Sequence, residues 1–270
     1  MRPLVMGILN VTPDSFSDGG LYLRKEDAIR HAEQMVQDGV DIIDVGGESS
    51  RPGAKAISVD EELSRVIPII QHLKQRFPVR LSIDTVKSEV ARAAVDAGVT
   101  LINDISGGTD IRMAEIVKRP DVEIVLMHMR GTPVTMQIQP IYPRGVVEEV
   151  KEYLLSRVRA FGEAGVGKEK IWVDPGIGFG KTVNHNLDLL RRISEFQSVT
   201  DRVVVGTSQK SFLAHILGGP QVPYEERVSA TIASNLWALN RGANVFRVHD
   251  VGDFKRALKV WEALSDASKS

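Results

Sequence analysis

Eight short apolar runs, each followed by a longer amphipathic stretch, divide the chain from end to end. The runs are LVMGILN (4–10), DIIDVGG (41–47), RLSIDT (80–85), LINDIS (101–106), EIVLMHM (123–129), IWVDPG (171–176), RVVVGTS (202–208) and VFRVHD (245–250). Each is brief and rich in Val and Ile, the pattern of a parallel strand covered on both faces. Apolar residues at helical spacing fill the intervals: Ala28, Ala32, Met35 and Val36 in 26–38, and Leu63, Val66, Ile67 and Ile70 in 61–76. The same spacing predicts helices over 87–97, 112–118, 146–164, 186–196, 226–240 and 253–264. Gly39, Gly98, Gly165 and Gly242 fall just after four of these stretches, where a left-handed residue ends a helix. Strand then helix, repeated eight times in 270 residues, favours a single closed (β/α)8 TIM barrel over an open doubly wound sheet. No linker or shift of composition divides the chain, so residues 1–270 read as a single domain.

Composition excludes several partners. The formal net charge is −1, which gives no electrostatic reason for a nucleic acid or an anionic membrane. The chain has no cysteine, so disulfides and thiolate chemistry are out. The first apolar run stops at Asn10, too soon for a signal peptide, and no run reaches the length of a membrane span. A cytoplasmic protein acting on small molecules is the expectation.

The active site of such a barrel lies at the C-terminal ends of its strands. Polar residues gather there: Asn10; Asp44 and Glu48; Asp84; Asn103 and Asp104; His128; Asp174; Ser208 and Lys210; Arg247, His249 and Asp250. A polar loop start explains one or two of these, but not Asp84 and Arg247, which sit inside apolar runs and need a partner or a ligand. Asp84, Asn103 and Asp174 suit a ring edge rich in N–H groups, such as an aminopyrimidine. Arg51, Lys210, Arg247 and His249 are cationic or can become so, and suit an anion of the phosphate type. Together they describe a heteroaromatic ring carrying a phosphate group. Three long connections, 11–25, 48–59 and 130–144, are candidate functional loops.

Other features carry less. DPGIGFGKT (174–182) resembles a phosphate-binding P-loop, but Pro175 stands where that pattern requires its first glycine. Its glycines fit close backbone approach to a ligand, with Phe179 as an apolar wall or as packing, and Lys181 as a solvated surface lysine. His128 reads as a hydrogen-bonded wall residue with no catalytic part. Asp44, Asp104 and Glu48 read as members of structural networks, and Met127, Met129 and Met136 as packing.

The motifs in order resemble the dihydropteroate synthase family. MGILNVTPDSFSDGG (6–20), IIDVGGESSRPGA (42–54), SIDT, INDISGG, LMHMRGTPVTMQ, DPGIGFGKT, GTSQKSF and FRVHD follow the family's sequence and spacing over nearly the whole chain. The resemblance implies condensation of a dihydropterin pyrophosphate with p-aminobenzoate in folate biosynthesis, at a sulfonamide target. It implies that Asp84, Asn103 and Asp174 hold the pterin edge, with Lys210 on its carbonyl side and Arg247 against its face. Asn10, Arg51, Arg247 and His249 would bind pyrophosphate, and Asn10 would also ligate Mg²⁺, which suits a hard cation taking most ligands from phosphate and water. Ser50, Pro52, Phe179 and Ser211 would line the p-aminobenzoate pocket, and Asp14 would pair with Arg51. The implied reaction is dissociative: pyrophosphate leaves, a pterin methylene cation forms and the weakly nucleophilic amine attacks. A homodimer formed by late helices is also implied. The chain departs from the family's usual residues at Ser50, where Thr is common, and at Gln209, where Arg is common. Two alternatives stay open: a methyltransferase barrel acting on methyltetrahydrofolate, and a pterin-binding subunit without catalysis. Neither needs the set Asn10, Arg51 and His249.

Overall fold

The strands predicted from the apolar runs form one parallel sheet: β1 (Leu4–Asn10), β2 (Ile42–Gly46), β3 (Arg80–Asp84), β4 (Leu101–Asp104), β5 (Glu123–Met127), β6 (Ile171–Asp174), β7 (Val204–Val205) and β8 (Val245–Val248). This is seen in a computed structural model that describes residues 2–12, 21–51 and 53–265. Neighbours follow the order β6-β5-β4-β3-β2-β1-β8-β7, and β1 pairs with both β2 and β8. A single parallel bridge, Val173 to Val203, closes the ring between β6 and β7. The expected barrel is therefore observed, with a thin seam at the seventh strand.

Helices cover the outside: α1 (Leu21–Gln37), α2 (Val59–Arg76), α3 (Ser88–Asp96), α4 (Arg112–Val117), α5 (Val146–Glu163), α6 (Val183–Arg191), α7 (Ser211–Ile216), α8 (Arg227–Leu239) and α9 (Val251–Ser265). Ser58 caps α2 by accepting from the Glu61 N–H at 3.2 Å, and Thr182 caps α6 reciprocally with His185. Gly39, Gly98, Gly165 and Gly242 take φ of +80°, +107°, +90° and +99°, as their places after helices required.

Three expectations need correction. The sixth helical stretch stops at Arg191 and continues as a 3₁₀ turn over Ile193–Ser198. The short helix α7 has no counterpart among the predicted stretches. The seventh strand keeps only two residues, because the chain leaves the ladder at Gly206 and Thr207 turns outward to Asn235, its Oγ1 2.8 Å from Oδ1.

Period-two alternation sorts each strand into a helix-facing and a barrel-facing set. Met6, Ile42, Leu101, Val125, Trp172, Val204 and Val245 form an inner apolar plug, separate from the large core beneath the helices. Two residues further along the same strands, hence on the same inner face, come Asp44 after Ile42, Asn103 after Leu101, Asp174 after Trp172 and Arg247 after Val245. The plug is the floor, and those four polar side chains are the layer built on it.

Candidate active site

A cavity of about 600 Å³ opens above this layer, at the C-terminal mouth of the barrel. Asn10, Ser50, Arg51, Asn103, Asp174, Phe179, Lys210, Ser211, Arg247 and His249, all singled out in the sequence, line it. Asp84 lies at its base, not on its wall. Asp14 and Pro52 lie outside the described residues. Ser49, Met136, Gln137, Ser208, Gln209, Tyr224 and Arg227 also contribute to the lining.

One buried network joins the layer. Arg247 donates from Nε to Asp44 Oδ2 at 2.7 Å and from Nη2 to Asp84 Oδ2 at 2.6 Å. Asn103 Nδ2 donates to the same Asp44 oxygen at 2.9 Å. Asp44 is wholly buried, and the alternation on β2 was the signal that could have placed it inside with the others. Burial lifts the Asp84 carboxyl to about 7 against the pull of Arg247, with Asp44, Glu62 and Asp104 pushing it further up. Burial likewise lifts Asp174 to about 6, opposed by the Gly176 N–H and by Lys210, Lys181 and Arg247. The Lys210 ammonium, buried and facing Arg247, is lowered to about 8. Three carboxylates, Asp44, Asp84 and Asp174, thus gather around Arg247 with Lys210 beside them, so acceptors for a ligand edge that donates hydrogen bonds share the cup with cations.

The anion side differs from its reading in one respect. Burial, followed by Arg247 and Lys210, pushes His249 down to about 3, so its imidazole is neutral near pH 7. Ser208 Oγ lies 2.9 Å from His249 Nδ1 and accepts the His249 backbone N–H at 3.3 Å. A hydroxyl accepting that N–H is free to donate to Nδ1, which leaves Nε2–H as the donor. The cations lining the mouth are thus Arg51, Lys210, Arg227 and Arg247.

The loops are fixed from behind. Glu48 accepts from Lys87 Nζ at 2.6 Å and from the Ile57 N–H at 2.9 Å, tethering the segment that carries Ser50 and Arg51. Phe179 packs with Met127 and Met136, and Lys210 Nζ stands 3.8 Å from its ring centroid. Gln209 takes φ +63°, a left-handed residue in the turn just before α7, and lines the cavity together with Lys210. Lys181 is not solvated: it is 4% exposed, with Nζ 2.9 Å from Phe179 O and 3.0 Å from His128 Nδ1. Its position in a loop after three glycines gave no periodicity from which to read burial. Asp104 is structural as expected, accepting from the Ser106 N–H at 2.8 Å.

Comparison with known proteins resolves the lineage. Residues 6–249 match the family model described as pterin binding enzyme. Dihydropteroate synthase of Escherichia coli strain K12 is 45% identical over 270 residues, spanning 100% of this chain and 94% of that protein. The chain belongs to the dihydropteroate synthase family of pterin-binding enzymes. Two solved family structures superpose closely. Xanthomonas albilineans dihydropteroate synthase with 4-aminobenzoic acid is 41% identical, with TM-score 0.91 over 98% of this chain and 94% of that one. Burkholderia cenocepacia dihydropteroate synthase complexed with 7,8-dihydropteroate is 43% identical, with TM-score 0.88 over 99% and 93%. Dihydropteroate synthases are transferases, so the cup described above is an enzyme's. The described part of this family member holds no helix long and apolar enough to cross a membrane.

Proposed function

We propose that the cup joins a 6-hydroxymethyl-dihydropterin pyrophosphate to p-aminobenzoate, releasing pyrophosphate, through dissociative departure of the anion. The observation that carries this reading is the coexistence, in one cavity, of Asn103 and Asp174 with Lys210 and Arg247, above Asp84. Hydrogen-bond acceptors for a pterin's amino and ring N–H groups share the cup with cations for its leaving group. A methyltransferase barrel acting on methyltetrahydrofolate would not need Asn10, Arg51 and His249, which line the same cavity.

The residue roles follow. Asn103 and Asp174 accept from the pterin edge, and Asp84 secures the base through Arg247. Lys210 donates to the carbonyl side while it lies over Phe179. Arg247 is held by Asp44 and Asp84 from below, so its guanidinium is fixed before the substrate arrives and costs little reorganisation when charge develops. Arg51, Arg247 and neutral His249, donating through Nε2–H, receive the pyrophosphate. The C–O bond to the methylene breaks with its electron pair going to the phosphate oxygen. The arylamine nitrogen then forms the C–N bond and releases its proton to water or phosphate. Carboxylates facing the methylene cation stabilise it, and Phe179, Ser50 and Ser211 border the arylamine.

A magnesium ion fits only as a passenger of the substrate. No group of three His, Asp or Glu able to hold a metal exists among the described residues, and Asn10 offers one amide oxygen on the cup wall. A hard cation held there would need its other oxygens from phosphate and water, and would supply positive charge to offset the departing anion. A cytoplasmic homodimer completes the reading.

The test is pyrophosphate release by the purified protein supplied with the pterin pyrophosphate, p-aminobenzoate and Mg²⁺. Release that requires the arylamine and yields dihydropteroate supports the reading. Folded protein that binds the pterin and releases nothing overturns it.

A further inference from the structure

Lys181 is among the buried titratable groups that the mechanism leaves unused. Lys181 lies outside the cup, behind the loop that joins β6 to α6, yet its Nζ reaches both sides of that loop. It lies 2.9 Å from Phe179 O, 3.3 Å from His128 O and 3.0 Å from His128 Nδ1. An ammonium has three donors, and here are three acceptors. The bonds form a circuit. The His128 N–H donates to Asp174 O at 3.0 Å, the Gly176 N–H to Asp174 Oδ1 at 2.7 Å, and the Phe179 N–H to Gly176 O at 3.1 Å. Lys181 closes the circuit between His128 and Phe179. Gly176 lets the two segments meet: at φ +69°, a Cβ there would stand 1.9 Å from His128 O. No other described side chain spans these two points. The charges facing Lys181 are Asp174, Lys210 and Arg130, and burial with the two cations lowers its pKa well below that of an ordinary lysine. A lysine retained at that cost has a positional use.

We propose that Lys181 is a positioning residue that keeps the two halves of the cup in register, tying the backbone behind Phe179 to the strand end that packs on Asp174. This rests on reading Phe179 as the arylamine wall. Freed from the tie, Phe179 and the Lys210 stacked on it shift relative to Asp174, and the arylamine loses its place before the pterin does.

The absence of cysteine makes a chemical test available. Lys181→Cys creates the sole thiol, which 2-bromoethylamine converts, in unfolded protein, to a sulfur analogue of lysine before refolding. Wild type passes through the same treatment. Lys181→Cys is expected to raise the KM for p-aminobenzoate about tenfold or more, as loss of hydrogen bonds to buried acceptors implies. The KM for the pterin pyrophosphate should move less. Aminoethylation should return the first KM toward wild type, and S-ethylation, which restores bulk without donors, should not. An unchanged KM for p-aminobenzoate, or equal rescue by the ethyl group, overturns the proposal. If Lys181→Cys does not fold, Lys181→Gln decides: its amide donates to one carbonyl, and a KM equal to wild type sinks the idea. Wild type that fails to release pyrophosphate overturns the functional reading instead.

Discussion

Each mouth of the barrel carries an arginine inside a strand, and the two are put to different uses. At the N-terminal mouth Arg80 pairs with Glu123, donates from Nε to Thr100 Oγ1 at 3.1 Å, and lies 5.2 Å from the Trp172 ring centroid. Glu123 also accepts from Trp172 Nε1 at 2.9 Å. Both charged side chains are 28% exposed, so this pair meets beside water. At the C-terminal mouth Arg247 is 18% exposed and its partners Asp44 and Asp84 only 0% and 9%, with Asp174 close enough to feel its charge. The first pair is wet and lies against a tryptophan of the plug. The second is drier and lies beneath an open cavity. The contrast teaches that a charge inside an apolar strand marks function when its partners are buried and a cavity opens above them.

The contrast breaks most visibly at Arg247. Arg247→Met should reduce turnover by about a thousandfold or more, since it removes both the anion contact and the fixed charge. Stability should fall by up to about 3–5 kcal/mol, the cost of stranding a buried ion-pair partner, lessened because Asp84 can keep its proton. Steady-state rates with a urea melt measure both, and near-normal turnover would remove the cup from the mechanism. Next comes the floor: Trp172→Ala should cost about 3–5 kcal/mol by opening a cavity in the plug. The pterin site should survive under conditions where the variant remains folded, seen as retained ligand binding despite the lowered melting point.

Titration sharpens the difference further. Asp174 at about 6 must be ionised to accept from the pterin, and Asp84 at about 7 to hold Arg247 beneath it, so affinity should fall as pH drops through that interval. Stability runs the opposite way. The folded carboxyl of Asp84 titrates above its ordinary 3.8, so the folded state holds a proton that the unfolded chain has lost, and stability declines as pH rises from about 4 to about 7. Calorimetric pterin titrations and thermal melts from pH 5 to 8 test both signs. A flat affinity profile would show that neither carboxylate meets the ligand as an anion.

Much of this was legible in the sequence. Eight brief Val- and Ile-rich runs with helical intervals favour the barrel, and because its site lies at the C-terminal strand ends, Asp84, Asn103, Asp174 and Arg247 could be placed at one mouth. Asp44 was equally placed, but its role depends on reaching Arg247 across 203 positions of sequence, which no local pattern encodes. Lys181 was misjudged, and Ser208 was placed at the rim without a role, for a related reason. Loop residues have no periodicity, and their burial is decided by the segments folded against them. The state of His249 was hidden too, since it is set by desolvation and by Arg247, neither visible in the motif FRVHD.

The smallest expected effect lies back at the N-terminal mouth. Arg80→Met and Glu123→Gln, alone and together, form a double-mutant cycle in which glutamine keeps an acceptor for Trp172 Nε1. Part-exposed pairs contribute little, so the coupling should be about 1 kcal/mol or less and should shrink in added salt. Turnover should stay near wild type in all three variants, because nothing at this end faces the cavity. A coupling above about 2 kcal/mol, insensitive to salt, would mean that this pair is as desolvated in effect as Arg247 and its aspartates. The two mouths would then differ only in the cavity above one of them, and burial would lose its place in the explanation.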